Sequence, residues 1–206
     1  MTDALSPYSA VLLASYGGPR SPEDVLPFMR NATAGRGVPD ERLLEVSQHY
    51  QLFGGRSPIN EQNEALRDAL AAELERRGCA RPVTIGNRNW TPFFTDTVAE
   101  LRRNRHHKVV AVATAAYSCY SACRQYREDL DAAMRQVPGI AIDKVGPYAE
   151  RDGFVSANVD ALVQAVQTLR SRIGDGRLKV LFVTHSIPTA MNAASADGSP
   201  AARYDA

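Results

Sequence analysis

The sequence predicts an α/β protein with a parallel sheet covered by helices on both faces. Short apolar segments alternate along the chain with longer amphipathic ones, as β-strands alternate with α-helices in such folds. One of the short segments, "HKVVAVATAAYS", is apolar at nearly every position, which is typical of a strand buried on both faces. The loops that follow parallel strands leave from one edge of the sheet, and open α/β folds bind ligands at that edge.

Five strands are predicted, each a short apolar run that ends in a turn signal. In chain order they lie in "SAVLLASYGG", "PVTIGNRNW", "HKVVAVATAAYS", "IAIDKVGPY" and "RLKVLFVTHSIP". The first and last share a pattern of apolar strand, polar tip and tight turn, and they are interpreted as the first strands of two related α/β units. We therefore expect one domain over residues 1–145 and a second over 146–206. We expect the second to be incomplete, because its remaining length is short of the roughly 100 residues of an ordinary unit.

The helices between these strands are indicated by periodicity and by their end signals. Ser21 is the expected N-cap of the first, with Pro22 at its first position. The segment "INEQNEALRDALAAELERRG" shows the clearest helical pattern, and a glycine ends it. Its expected buried face is apolar and consists of Ala65, Leu66, Ala69, Leu70 and Leu74. Further helices are predicted in "PFFTDTVAELRRN" and "SACRQYREDLDAAMRQV" and from about Phe154 to Ile173.

Composition and charge exclude several functional classes. The 206 residues are 44% hydrophobic and carry a formal net charge of +1, so bulk binding to nucleic acid is not indicated. No apolar run approaches the ~18 residues of a membrane span, and the first ten residues lack the pattern of a secretion signal. We therefore expect a soluble, cytoplasmic protein. Three cysteines at these spacings do not suggest a disulfide framework.

The motifs of several common enzyme classes are missing from the sequence. No serine lies in a G-x-S-x-G turn, and neither form of glycine-rich phosphate loop follows a strand. His106 and His107 lie among basic residues and are interpreted as a solvated helix end. His49 is expected near a helix end with a structural role. His185 is different, because it stands at the tip of a predicted strand, yet a lone histidine there is still more often a core or turn residue than a ligand.

Five segments together resemble the ferrochelatase family, and in particular the coproporphyrin ferrochelatases of actinobacterial type. They are "VLLASYGGPRSPEDVLPFM", "HYQLFGGRSPIN", "GNRNWTPFFTDTV", "AAYSCYSACRQYRED" and "VTHSIP". The resemblance implies a class II chelatase fold of two Rossmann-like domains with a tetrapyrrole in the cleft between them. It also implies insertion of Fe(II) into coproporphyrin III, giving coproheme, which a downstream coproheme decarboxylase would convert to heme.

The resemblance assigns expected roles to individual residues. His185 matches a histidine implied to bind the incoming iron and to accept pyrrole protons, and neutral imidazole suits both tasks. Tyr16 matches a tyrosine implied to approach the metal from the other face. Ser57 and Tyr126 match positions implied to bind porphyrin propionates. Arg36 and Arg88, on flanking loops, are weaker candidates for the same task. Trp90 and Phe93 are candidate apolar walls for the macrocycle, although Phe93 is more often expected to pack in the core.

The family also bears on the cysteines and on the length of the chain. Some members hold a [2Fe–2S] cluster with one mid-chain cysteine and three near the C-terminus. Cys123 best matches the mid-chain ligand, with Cys119 as the alternative. The other ligands, and a glutamate that the family pairs with its histidine, would lie beyond residue 206, so we expect no stable cluster and weak or no activity from this chain. Two alternatives stay open: a chelatase for another tetrapyrrole or metal, and a non-catalytic tetrapyrrole-binding fragment.

Overall fold

The computed structural model describes residues 3–184 and 187–193. They fall into two compact units. The first contains the residues up to Ala115 together with Gln125–Val145, and the second contains Ala116–Arg124 and the residues from Gly146 onward. No helix in the described part of the chain is long and apolar enough to cross a bilayer. The expected division into Rossmann-like domains over 1–145 and 146–206 stays a prediction.

The first unit is built on a four-stranded sheet in which every described pairing is parallel, with strand order β2-β1-β3-β4. The strands are β1 (Ala10–Ser15), β2 (Val83–Asn87), β3 (Lys108–Ala113) and β4 (Ala141–Lys144). This confirms the first four predicted strands and the α/β class. β1 is central and buried at all six positions, because it has a strand on each side and a layer on each face.

Seven α-helices are formed by the described residues: α1 (Val25–Ala32), α2 (Asp40–Gln51), α3 (Ile59–Arg76), α4 (Phe94–Arg103), α5 (Gln125–Gln136), α6 (Asp152–Ile173) and α7 (Thr189–Ala193). Alternation along β1 sends neighbouring side chains into different cores. Leu12 packs in the cluster that contains Val98 of α4 and Leu130 of α5. Val11 lies in a second cluster with Leu74 of α3. The sheet is thus covered on both faces, as predicted.

α1 and α2 form a third, smaller cluster beside the sheet. Phe28 and Leu43 are buried there, with Trp90 packed against them. Ser21 lies at the expected N-cap position, and Pro22 opens a short 3₁₀ turn, Pro22–Asp24, that leads into α1. The Ser21 side chain caps no backbone amide. It hydrogen-bonds instead to the Glu23 carboxylate, and this bond is the largest cause of the lowered pKa of Glu23.

The predicted buried face of α3 is partly wrong. Leu74 is buried and Leu70 is partly buried, but Ala65, Leu66 and Ala69 are exposed. Asn60 and Asn63 take the buried positions of the first two turns, where their side chains find hydrogen-bond partners at the end of β1. Burial of a side-chain amide costs little free energy when the amide is hydrogen-bonded. The pattern of apolar residues alone therefore does not identify the buried face of α3.

The predicted fifth strand is also wrong. Residues 178–184 form no strand, and Leu181, Phe182 and Val183 are 81%, 87% and 90% exposed. An apolar run becomes a parallel strand only when a neighbour supplies backbone hydrogen bonds. None of the four described strands pairs with this run.

The second unit consists of helices and turns in its described part. Tyr120–Arg124 forms a π-helical turn in place of the regular start predicted for that helix. α6 confirms the helix predicted from Phe154 to Ile173, starting two residues earlier. The ring of Phe154 packs edge-on against those of Tyr117 and Tyr148, at centroid distances of 6.1 and 5.6 Å.

Candidate functional site

Loops that follow β1 and β2 are joined by backbone hydrogen bonds at the carboxyl edge of the sheet. The amide of Arg88 donates to the carbonyl of Ser15 at 3.0 Å, and the amide of Asn89 donates to that of Tyr16 at 3.1 Å. Gly17 has a φ of 77°, and a Cβ there would lie 2.9 Å from the Cβ of Asn87. The first glycine of "SYGGP" is therefore required both by its backbone conformation and by the close approach of the second loop.

The segment that precedes α3 joins the same edge. Ser57 donates its amide to the carbonyl of Pro19 at 2.9 Å, and Asn60 Nδ2 donates to the carbonyl of Gly18 at 2.9 Å. A Cβ at Gly18 would lie 2.6 Å from that of Ser57. Three segments far apart in sequence, "SYGGP", "GGRSPIN" and "GNRNW", thus meet at one place.

A polar cavity of about 240 Å³ opens beside these loops. Tyr16, Arg36 and Arg88 line it, together with Gln125 and Asp129 from the start of α5. Two guanidinium groups and one carboxylate give this wall a formal charge of +1. Such a cavity suits an anion, and a carboxylate can accept two parallel hydrogen bonds from an arginine.

Arg88 is held firmly in this wall. Its side chain is only 9% exposed and its Nε donates to Asp129 Oδ2 at 2.5 Å. The guanidinium carbon lies 4.0 Å from the centre of the Tyr126 ring, within cation–π range. An arginine fixed on two sides loses little further freedom when it binds an anion.

Tyr126 lies beneath Arg88 and is 4% exposed. Burial raises the pKa of its phenol to about 12, which the nearby guanidinium of Arg88 opposes. Its ring also packs edge-on against Phe94 at 6.2 Å. In this structure the Tyr126 ring packs against the guanidinium of Arg88. The expected direct contact of Tyr126 with a propionate stays a prediction.

An aromatic group centred on Phe28 contributes one ring to the polar cavity and another to a larger one. The Phe28 ring packs edge-on against Tyr16, Tyr50 and Trp90, at centroid distances of 6.1, 6.2 and 6.4 Å. Tyr16 lines the polar cavity and is 39% exposed. Tyr50 lines the larger cavity, of about 690 Å³, and burial raises its pKa.

The predicted site residues are therefore divided between several places. Tyr16, Arg36 and Arg88 meet at the polar cavity, with Tyr126 under them, whereas Ser57 lines the larger cavity. His185 lies outside the described residues.

The two candidate cluster cysteines belong to the second unit. Cys123 is buried, with its sulfur 3.6 Å from the Ser118 hydroxyl, and Cys119 is half-buried. No group of three or more metal-ligating side chains gathers in the described part of the chain. The described thiols therefore do not fit the four-ligand shell of an iron–sulfur cluster.

Comparison with known proteins agrees with this arrangement of motifs. The family model described as ferrochelatase matches residues 8–205. This chain belongs to the ferrochelatase family. It is 50% identical to the coproporphyrin III ferrochelatase of Leifsonia xyli subsp. xyli, over 88% of this chain and 49% of that protein.

Two further relatives extend the comparison. Identity is 48% to the coproporphyrin III ferrochelatase of Streptomyces coelicolor, over 97% of this chain and 54% of that protein. Identity to the ferrochelatase of Rhodopirellula baltica is 43%, over 91% of this chain and 53% of that protein. The chain thus spans about half the length of the curated relatives it matches.

Sequence reasoning missed several polar residues of the site. Asn31 and Asn89 line the polar cavity, and Asn31 Nδ2 donates to the Asn89 carbonyl at 3.3 Å. Asp129 carries a detectable signal, because it lies three residues after Tyr126 and so shares its helix face. Asn31 carries no such signal, since only the packing of α1 brings it to the cavity.

Proposed function

We propose that this chain supplies the porphyrin-binding half of a coproporphyrin III ferrochelatase. The observation that carries the proposal is the polar cavity of a ferrochelatase-family chain, with Tyr16, Arg36 and Arg88 along its wall. Its two guanidinium groups match the carboxylates that coproporphyrin carries at its edge, and the names of the relatives support the same substrate.

The roles of the residues follow from their chemistry. Arg88, oriented by Asp129 and Tyr126, places its positive charge beside a propionate, and Arg36 adds a second positive charge. Tyr16 presents its phenol toward the metal-binding centre of the ring. Ser57 donates a hydroxyl hydrogen bond to a propionate from the larger cavity. Binding energy from these carboxylate contacts, remote from the metal, is available to bend the macrocycle toward the transition state.

His185 is proposed as the iron-binding base. Insertion exchanges two pyrrole N–H protons for one Fe(II), so the two protons must leave as the four Fe–N bonds form. A neutral imidazole can accept a proton near pH 7, and it is also a suitable ligand for Fe(II). We propose that His185 takes the first proton and passes it to solvent before the second leaves.

Three finer proposals accompany this one. Cys123, or else Cys119, would be the mid-chain ligand of a [2Fe–2S] cluster in a longer protein, and the described thiols by themselves do not make that site. The product would pass to a decarboxylase that acts on coproheme. The protein would work in the cytoplasm.

The test uses a chimera of this chain with the carboxy-terminal half of the Streptomyces coelicolor relative. We expect the chimera to insert Fe(II) into coproporphyrin III, and the His185→Ala variant to lose at least about a hundredfold in rate while still binding the porphyrin. Loss of insertion is read from the absorbance of the metallated product. A His185→Ala chimera with the wild-type rate would show that another group is the base.

A second candidate function, a non-catalytic tetrapyrrole-binding fragment, is favoured by one observation, the half-length match to the relatives. The unmodified chain separates the two. Binding of coproporphyrin III without metal insertion supports the hypothesis of a non-catalytic fragment. Metal insertion by the chain alone supports the hypothesis of an enzyme. Insertion of another divalent metal or into another tetrapyrrole at a higher rate would favour a different chelatase.

A further inference from the structure

The larger cavity lies between the end of α2 and the start of α3. Tyr50 and Phe53 give it an aromatic wall, and the turn that begins α3 gives it a polar one with Ser57 and Glu61. Arg56 lies at the junction of the two walls. A cavity lined by aromatic side chains and a single guanidinium, with the imidazole of His49 beside them, suits a flat aromatic ligand that carries a carboxylate.

The start of α3 adds to the attraction for a negative charge. Helix N-termini carry a partial positive charge and favour carboxylates. α3 has 18 residues and begins at Ile59, directly after Ser57 and Pro58 of the cavity wall. Glu61, in its first turn, is a carboxylate that already occupies this favourable position.

Arg56 is paired with Glu61 in a way that permits exchange. Its Nη2 lies 3.0 Å from Glu61 Oε1, and the two side chains are 62% and 69% exposed. Exposed pairs of this kind contribute little, because solvent screens both charges. A ligand carboxylate can therefore replace Glu61 at the guanidinium at little cost in free energy.

Arg56 and Arg88 serve different cavities. Tyr16 of the polar cavity and Tyr50 of the larger cavity both pack on Phe28, so the two arginine positions flank one aromatic group. A ligand whose carboxylates all lie at one end can reach one of these positions. Pairing of both arginines with one ligand therefore requires carboxylates on more than one side of that ligand.

We propose that Arg56 is a specificity-determining residue, which binds one carboxylate of a tetracarboxylate porphyrin in exchange for Glu61. This inference rests on the proposed function, since it assumes that the ligand of the site is a porphyrin. It adds a residue that selects a porphyrin with four carboxylates over one with two.

The experiment measures dissociation constants by quenching of porphyrin fluorescence. Coproporphyrin III carries four carboxylates and deuteroporphyrin IX carries two, and both are titrated with the unmodified chain and its variants. We expect Arg56→Gln to raise the dissociation constant for coproporphyrin about five- to tenfold, as for a lost charge-assisted hydrogen bond. The value for deuteroporphyrin should change less than about twofold.

Two further variants test the exchange itself. Glu61→Gln releases Arg56 and should lower the dissociation constant for coproporphyrin by about two- to fivefold. Arg56→Lys keeps the charge and should recover part of the loss. The matched control is Arg76→Gln at the other end of α3, which removes a similar exposed pair with Glu73 and should leave both constants within about twofold.

Each outcome has a distinct meaning. Suppose that the unmodified chain binds coproporphyrin and that Arg56→Gln has the same dissociation constants as the unmodified chain for both porphyrins. The specificity role of Arg56 is then wrong, and the proposed function stands. If Glu61→Gln weakens coproporphyrin binding, the exchange is wrong. If the unmodified chain binds neither porphyrin, the proposed function fails and this inference fails with it.

Discussion

At the scale of single residues, the candidate site depends on how Arg88 is compensated. Its guanidinium is nearly buried, and an unpaired charge there would be costly, so Asp129 and the Tyr126 ring are needed to keep it in the wall. The same partners fix the position of the positive charge in the cavity wall. The stability of the chain and the geometry of the candidate site therefore both depend on Arg88 and its partners.

Removing the carboxylate of Asp129 tests this coupling. Asp129→Asn should destabilise the chain by about 2 kcal/mol, below the usual cost for a fully buried pair because Asp129 is 29% exposed. The free energy of unfolding is read from urea titration. The control Asp68→Asn breaks the exposed pair with Arg67 and should leave the urea midpoint unchanged, because solvent screens that pair. An Asp129→Asn chain as stable as the unmodified one would contradict the account.

Tyr126 predicts a dependence of stability on alkaline pH. Its folded pKa of about 12 lies above the ordinary tyrosine value of 10.0, so folding favours the neutral phenol. The contribution of the neutral Tyr126 phenol to the free energy of unfolding is complete below pH 10, and it is lost as the pH rises toward 12. Tyrosinate absorbance should show that the part of the titration near pH 12 is lost in Tyr126→Phe. Tyr8→Phe is less suitable as a control because Asp143 also raises the pKa of Tyr8.

At the scale of elements, the glycine pair after β1 determines how closely the loops approach. Gly18 has an ordinary φ, so its alanine variant meets no backbone restriction. The new Cβ would instead lie 2.6 Å from Ser57 Cβ and 2.8 Å from Ile59 Cγ2. One of the two segments must move, and the site residue Ser57 moves with it.

Gly18→Ala should therefore cost about 1–3 kcal/mol in unfolding free energy, as overpacking usually does. Thermal or urea unfolding measures the loss. Gly153→Ala is the matched control, since nothing lies within 4 Å of the added methyl group. It should change stability by less than about 1 kcal/mol. Equal stability of the two variants would mean that the loops can separate freely.

α6 is an element with an apolar stripe and little burial. Val155, Val159, Leu162, Leu169 and Ile173 follow one another at helical spacing and are each more than a third exposed. Their contribution to the stability of this chain is therefore small, since an exposed side chain has gained little on folding.

Leu162→Gln should accordingly change the unfolding free energy by less than about 0.5 kcal/mol. Leu130→Ala in the core of the first unit, where Leu130 is 2% exposed, should cost about 2–4 kcal/mol. Both values come from the same urea titration. A large loss for Leu162→Gln would show that α6 is covered in solution.

At the scale of the whole molecule, the two units differ in how much apolar surface they bury. The three buried clusters contain only residues of the first unit, whereas α6 has no buried residue. Local stability follows burial and contact density, so the units should open at different free energies.

Hydrogen exchange followed by mass spectrometry measures this difference. Amides of β1 and β3 should be protected close to the global limit, because both strands are buried and have neighbours. Amides of Asp152–Ile173 should exchange at least about tenfold faster, since their helix can open without exposing a core. Equal protection of β1 and α6 would mean that the chain unfolds as one cooperative unit.

The sequence alone predicted the α/β class, the first four strands, most helices and the family. These features are local, since they depend on apolar periodicity, on turn residues and on short motifs that survive in the linear order. It also selected Tyr16, Arg36 and Arg88, which the fold does bring to one cavity.

Tertiary structure alone decided the remaining features, because each depends on partners distant in the chain. The buried asparagines of α3 depend on carbonyl and hydroxyl groups at the end of β1. The run at 178–184 is not a strand, because none of the described strands pairs with it. Asp129 and Tyr126 support Arg88 only because α5 packs beside the loop after β2. A pattern in sequence states what a segment can form, and the available partners determine what it does form.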